Sequence, residues 1–245
     1  MKNEDQPRRR FLRQMLTVVP ASAVTPAILM QQGCTDAAKP AAQTDGSRAT
    51  SADDYKPTYF TDAEWTFVRA AVDELIPADA TGAGGLEAGV PEFIDRQMET
   101  PYGHGKLWYM QGPFHPDADP LLGYQARFVP RDIYRYGIEA CDAWCTQEHG
   151  KKFAELPRDT RVQVLEALEA GKIHLEPVGA KLLFATLLKN THEGYFADPM
   201  YGGNRHMAGW KMIGFPGARA DFADWIGQPG AKYPLGPVSI LGEQA

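Results

Sequence analysis

The sequence contains little cysteine and none of the short motifs that mark common enzyme classes. Only three cysteines occur among 245 residues, and three cannot all pair within one chain. No G-x-S-x-G, Walker or H-E-x-x-H pattern is present, and the C-x-x-C-H needed to attach a c-type haem is also missing. A Gly-rich stretch at residues 82–85 lacks the preceding strand and the following βαβ unit that a dinucleotide loop needs. These absences argue against a hydrolase, a nucleotide-binding enzyme and a cytochrome.

Charge is unevenly distributed along the chain. The formal net charge is −6, but residues 1–34 contain five basic and two acidic residues and are net +3, which leaves −9 for the rest. An acidic body of this kind is a poor partner for nucleic acid or for an anionic membrane surface. A hydrophobic fraction of 44% supports a real core, so a wholly disordered chain is excluded.

The basic leader has the layout of an export signal. Arg8 and Arg9 are followed by Phe11 and Leu12, and residues 14–35 carry no charge. The R-R-x-F-L-R pattern resembles the twin-arginine signal, although Pro7 stands where Ser or Thr is usual. We therefore predict a twin-arginine signal at residues 1–35, read by the twin-arginine translocase, then a flexible tether at 36–58 and a periplasmic location.

Two alternatives for the leader fit less well. A retained transmembrane anchor would have to accommodate Pro20 and Pro26 within a helix of marginal length. Lipid attachment at Cys34 would need a Leu and a small residue where Gln31 and Gln32 stand.

Five amphipathic helices are predicted after the tether. Thr61 and Glu64 form a capping-box pattern before the first, which should end at Pro77. The others are expected from residue 91 to about 98, from 132 to about 149, from a cap at Asp159 or Thr160 to about 170, and from about 178 to 189. Because no alternating strand pattern occurs, the predicted fold is all-α. We expect an irregular helical domain at residues 59–245 with long ordered loops rich in glycine and aromatic residues.

The C-terminal part combines large rings with glycines. Residues 191–217 contain five Phe, Tyr or Trp residues and six glycines, which is too apolar for a solvated tail. We expect this stretch to fold onto the body, onto a partner, or onto both. Its polar residues could form a site, but no nucleophile–base pair accompanies them, so protein recognition is favoured over catalysis. These polar residues are Asp198, Tyr201, Asn204, Arg205 and His206.

Cys141 and Cys145 are four residues apart and therefore share a helix face. Burial as two small apolar residues is favoured, and a disulfide to each other or to a partner chain is the alternative. A metal or iron–sulfur site is disfavoured, because it would need further cysteines or a clustered histidine and the six histidines are scattered.

One C-terminal run resembles a known family. Residues 195–204 read Y-F-A-D-P-M-Y-G-G-N, and residues 209–217 read G-W-K-M-I-G-F-P-G. These motifs are similar to the C-terminal signature of the gluconate 2-dehydrogenase subunit 3 family, the small or gamma subunit of periplasmic flavin-dependent sugar and sugar-acid dehydrogenases. The similarity extends to residues 60–77, the Gly-rich loop, residues 89–95 and 112–114, and the closing residues 233–234.

The resemblance implies an accessory role. In such complexes a large flavoprotein subunit with FAD oxidises the substrate, and a multihaem cytochrome c subunit passes electrons to the quinone pool. The small subunit carries the export signal and escorts the folded flavoprotein, so no cofactor, metal or catalytic residue is expected on this chain. The alternative is a free-standing periplasmic binding or structural protein with the same fold.

The predicted partner-binding residues lie in the two C-terminal motifs, and Trp210 is expected to be an anchor that docking covers. They are Tyr201, Gly202, Gly203, Asn204, Trp210, Gly214, Phe215, Pro216 and Gly217.

Overall fold

The computed structural model describes residues 55–116 and 118–244, and these belong to one compact unit. Their α-helices are α1 (Asp62–Leu75), α2 (Val90–Met98), α3 (Pro130–His149), α4 (Arg158–Ala170), α5 (Ala180–Phe196) and α6 (Ala208–Ile213). Short 3-10 helices lie at Pro120–Leu122, Phe153–Glu155, Pro199–Tyr201, Arg205–Met207 and Ala220–Trp225. The described residues contain no β-strand, which confirms the all-α prediction.

None of the helices within residues 55–244 combines the length and the apolar character needed to cross a bilayer.

The start of α1 follows the predicted capping box. The Thr61 hydroxyl accepts a hydrogen bond from the Glu64 amide at 3.4 Å, and Glu64 Oε2 accepts one from the Thr61 amide at 2.8 Å. The second bond satisfies a donor that the helix itself cannot reach. Glu64 is buried at this point, and Arg135 of α3, which donates to the same oxygen at 2.6 Å, offsets the cost of burying the carboxylate. The cap therefore also joins α1 to α3.

The ends of α3 and α4 are set largely by the predicted signals. Gly150 and Gly171 are both left-handed, with φ of 74° and 67°, and end their helices as expected. The predicted cap of α4 at Asp159 or Thr160 is wrong, since the helix begins at Arg158 after Pro157. Asp159 lies within the first turn instead, where a carboxylate interacts favourably with the helix dipole.

Helix α5 is the centre of the domain and packs against α2, α3 and α4. It continues to Phe196, seven residues beyond its predicted end at Lys189. The continuation depends on tertiary contacts, because buried Asn190 accepts a hydrogen bond from the Tyr134 hydroxyl at 3.0 Å and donates one to the Tyr102 hydroxyl at 2.9 Å. A Cβ on Gly194 would lie 2.8 Å from the Phe93 ring, so the absent side chain lets α2 approach closely.

Candidate functional site

Residues 198–217, here called the C-terminal loop segment, form the most distinctive part of the surface. Asp198 starts it by accepting the Met200 amide at 3.1 Å, and a 3-10 turn then leads to Gly202, whose φ is 100°. Such a φ is accessible almost only to glycine. The segment contains the short helix α6, whereas the sequence predicted irregular structure throughout.

Asn204 organises this segment from inside the protein. It is fully buried and has φ of 47°, a left-handed conformation that asparagine tolerates better than other side chains. Its Nδ2 donates to the Ala197 carbonyl at 2.9 Å, and its Oδ1 accepts the Gly209 amide at 2.8 Å. The side chain therefore ties the end of α5 to the start of α6. Partner binding was predicted for Asn204, but the residue has no surface to offer.

The C-terminal loop segment is seated on α2 by an ion pair. Arg205 Nη2 lies 3.3 Å from Oε1 of Glu92, whose side chain is almost completely buried, and the Arg205 amide donates to the Ala88 carbonyl at 2.9 Å. Gly89 allows this approach, since a Cβ there would lie 2.8 Å from both Arg205 Nε and the Gly202 carbonyl oxygen. A buried carboxylate requires such a partner, because desolvation of an unpaired charge is costly.

Backbone strain is concentrated beside this ion pair. His206 and Met207 have φ of 55° and 53°, and with Asn204 they are the non-glycine residues of the described chain with positive φ. Each such conformation costs of order 1–3 kcal/mol and persists only where surrounding contacts enforce it. Strain of this kind accumulates at sites under functional constraint, which supports treating the segment as the candidate site.

Trp210 does not have the exposed position that was predicted for it. Its side chain is only 6% exposed, and its indole Nε1 donates to the Phe196 carbonyl at 2.8 Å. The ring also packs edge-on against Phe215, with 5.1 Å between ring centroids. Trp210 is therefore an internal anchor of the C-terminal loop segment, covered by its own chain without a partner.

The remaining predicted residues divide into internal and exposed groups. Gly203 and Pro216 are buried, Gly217 is half-buried against the Val238 backbone, and Gly214 is exposed at the end of α6. Tyr201 and Phe215 are 48% and 45% exposed and remain available to a partner. They share this part of the chain with further exposed apolar side chains, and together these define the apolar face. It comprises Phe196, Met200, Tyr201, Met212, Ile213, Phe215 and Ile240.

Hydrogen bonds connect parts of the apolar face. Asp198 accepts the Ile240 amide at 2.7 Å in addition to the Met200 amide, so these two exposed side chains flank one carboxylate. Phe196 adjoins Gly209, where a Cβ would lie 3.2 Å from its ring. Exposed apolar side chains mark a surface that another molecule covers when they form a contiguous patch, so these residues are the candidate contacts for a partner.

The two cysteines of α3 are buried and free. The two thiols are not bonded to each other, and the burial of both agrees with the favoured interpretation as core residues. A disulfide to a partner chain stays a prediction. A hydrogen bond to Cys145 and burial raise the pKa of the Cys141 thiol far above its ordinary value, so it stays protonated and unreactive. The export residues Arg8, Arg9, Phe11 and Leu12, like Cys34, lie outside the described residues.

Sequence reasoning missed the two carboxylates that α2 carries inward. Glu92 and Asp95 are 1% and 0% exposed, although both residue types are ordinarily found in water. The helical spacing of Phe93, Ile94 and Met98 predicts which side of α2 is buried. It gives no signal that the two acidic residues beside them are buried as well. Within residues 55–116 and 118–244 no group of His, Cys, Asp and Glu has a metal-binding arrangement.

The described part of the chain is thus an all-α domain whose distinctive site is a folded, glycine-rich segment with an apolar face. A family model described as Gluconate 2-dehydrogenase subunit 3 matches residues 62–217, which is well over half of the chain and ends with the C-terminal loop segment. The chain belongs to this family. Family membership implies a subunit of a multi-subunit dehydrogenase complex of the gluconate type. No curated protein and no solved structure matches the chain.

Proposed function

We propose that this chain is the non-catalytic small subunit of a periplasmic, flavin-dependent sugar or sugar-acid dehydrogenase complex. In this role it stabilises a large FAD-containing subunit and escorts it through the twin-arginine translocase, and a multihaem cytochrome c subunit completes the complex. The observation that carries the proposal is the family match over residues 62–217. The twin-arginine pattern at Arg8 and Arg9 supports the export part of it.

The surface proposed for the flavoprotein is the apolar face. Phe196, Tyr201 and Phe215 are its aromatic members, and all three are exposed and lie in the two C-terminal motifs. Aromatic side chains at the centre of an interface often supply much of its binding energy. Trp210, buried beneath Phe215, supports this surface by holding Phe215 in place and makes no direct contact with the partner.

The proposal is tested by exchanging the arginine pair. A tagged full-length chain carrying Arg8→Lys together with Arg9→Lys is expressed with its partner subunits, and the periplasmic and cytoplasmic fractions are examined separately. We expect the flavoprotein and the tagged chain to remain together in the cytoplasm. Arg10→Lys is the matched control, since it changes a neighbouring arginine outside the predicted pair.

Two readouts decide the outcome. The wild-type tagged chain purified from the periplasm should bring with it a protein with the absorption spectrum of flavin and another with that of c-type haem. Normal periplasmic flavoprotein in the double variant would contradict the escort role. A tagged chain that purifies as a colourless monomer favours the alternative of a free-standing binding or structural protein.

A further inference from the structure

One buried carboxylate holds the segment through which the N-terminal residues enter the helical domain. This junction segment comprises residues 55–60. Asp95 of α2 accepts five hydrogen bonds from it. Its Oδ2 accepts from the Tyr55 hydroxyl at 2.8 Å and from the Thr58 amide and hydroxyl at 2.7 and 3.0 Å. Its Oδ1 accepts from the Tyr59 and Phe60 amides, both at 3.0 Å.

These bonds make the position of the junction segment and the burial of Asp95 depend on each other. The Asp95 side chain is completely buried, and an ionised carboxylate is tolerated there only with full hydrogen bonding. If residues 55–60 moved away, the carboxylate would lose all five donors. Outward movement of the junction segment therefore requires α2 to move or Asp95 to gain access to water.

Aromatic contacts reinforce the attachment. The Arg96 guanidinium lies 5.7 Å from the centre of the Tyr55 ring, and the same ring packs against Trp65 of α1 at 5.6 Å. Burial, together with the bond to Asp95, raises the pKa of the Tyr55 hydroxyl to about 12, so the hydroxyl remains a donor at physiological pH.

The same helix holds the C-terminal loop segment. Glu92, one turn before Asp95, pairs with Arg205. Arg96 also contacts this segment, since a Cβ on Gly202 would lie 3.0 Å from Arg96 Nη1. Within two turns, α2 therefore binds the junction segment through Asp95 and Arg96 and the C-terminal loop segment through Glu92 and Arg96.

We propose that α2 couples these two segments, so that the junction segment is held on Asp95 firmly only while the C-terminal loop segment is seated on Glu92 and Arg96. The junction segment is then bound firmly only in molecules whose C-terminal loop segment has folded. For a chain whose predicted leader enters a route for folded proteins, this coupling fixes residues 55–60 on the helical domain only when folding is complete. That last consequence rests on the proposed function, whereas the coupling itself does not.

Hydrogen exchange on the full-length chain without partners tests the coupling. The readouts are the amides of Thr58, Tyr59 and Phe60, which all donate to Asp95. Arg205→Gln removes the ion pair with Glu92 while keeping most of the side chain. We expect it to increase exchange at these three amides about tenfold, within the usual range of coupling between sites.

A matched control separates coupling from general destabilisation. The double variant Arg158→Gln with Arg161→Gln removes both arginines that pair with Glu74, so it leaves a carboxylate without an ion partner just as Arg205→Gln does. The side chains of Glu74 and Glu92 are both 1% exposed. The pairs with Glu74 join α4 to α1 and do not involve α2. The proposal would be overturned if exchange at the three amides rose equally in both variants, or did not rise in Arg205→Gln.

The coupling is also tested in the opposite direction, by changing the junction segment and measuring hydrogen exchange in the C-terminal loop segment. Tyr55→Phe removes one donor to Asp95 and leaves the ring contacts, so the variant is expected to fold. Because coupling between two sites acts equally in both directions, exchange should rise at the Arg205 and Gly209 amides, which bond to the Ala88 carbonyl and to Asn204. Unchanged exchange at both amides, with faster exchange at Thr58, would show that the junction attachment is purely local and would reject the coupling.

Discussion

At the residue scale, the family motif around Asn204 is explained by internal packing. Gly203 passes so close to α5 that a Cβ would lie 2.1 Å from the Gly194 carbonyl oxygen. Asn204 combines a left-handed backbone with two hydrogen bonds inside the protein. The sequence predicted partner binding for both positions, whereas in the folded chain both are buried and make internal contacts.

Gly203→Ala should therefore destabilise the domain strongly. The added methyl group meets backbone atoms that cannot rotate away, so we expect a loss of about 3 kcal/mol in the free energy of unfolding, at the upper end for overpacked sites. Gly179→Ala is the control, since its Cβ would meet nothing within 4 Å and its φ is −60°. Urea denaturation of both variants measures the difference, and equal stabilities would refute the interpretation.

At the element scale, α5 shows where local sequence patterns become insufficient. Its predicted end at Lys189 falls seven residues short of the observed end at Phe196. The helix continues because the Tyr134 hydroxyl bonds to Asn190 and because Gly194 fits against Phe93. These partners are far away in sequence, so helical periodicity alone could not have revealed them.

Asn190→Ala is expected to destabilise the second half of α5. It leaves the fully buried Tyr134 hydroxyl without its acceptor, which costs about 1–3 kcal/mol. Exchange of the backbone amides after residue 190 should increase more than exchange in α3. His192→Ala, on the exposed side of the same turn, serves as the control and should change neither quantity. An unchanged free energy of unfolding in Asn190→Ala would show that the hydrogen bonds of Asn190 do not stabilise the second half of α5.

At the scale of the whole molecule, the residues of the C-terminal loop segment divide into two groups: some are buried and hold the segment in place, and others are exposed to a partner. Trp210 and Asn204 are internal, whereas Tyr201 and Phe215 face outward on the same segment. A partner bound to the apolar face would thus contact a surface whose shape depends on the folding of the segment beneath it. This arrangement suits an accessory subunit, because a rigid surface loses little conformational entropy on binding.

Substitution on the apolar face should weaken assembly without unfolding the chain. We expect Phe215→Ser to lower the affinity for the proposed flavoprotein partner by about 2 kcal/mol, which is close to thirtyfold, as for an interface aromatic hot spot. Tyr136→Ser on α3 is the matched control, since Tyr136 is 41% exposed against 45% for Phe215 and lies outside the face. Affinity is measured by titrating the purified subunits, and thermal unfolding confirms that both variants fold. An equal effect of the two substitutions would argue against the apolar face as the interface.

The sequence by itself determined the helical class, most helix boundaries and the location of the distinctive motif. These follow from local rules, since capping boxes, left-handed glycines and apolar periodicity act over a few residues, as at Thr61, Gly150 and α2. Only the tertiary structure decided that Trp210 is buried, that α5 extends to Phe196, and that Asp95 and Glu92 lie inside. Each depends on a partner distant in sequence, and burial of a polar or aromatic group becomes favourable only when that partner is in place.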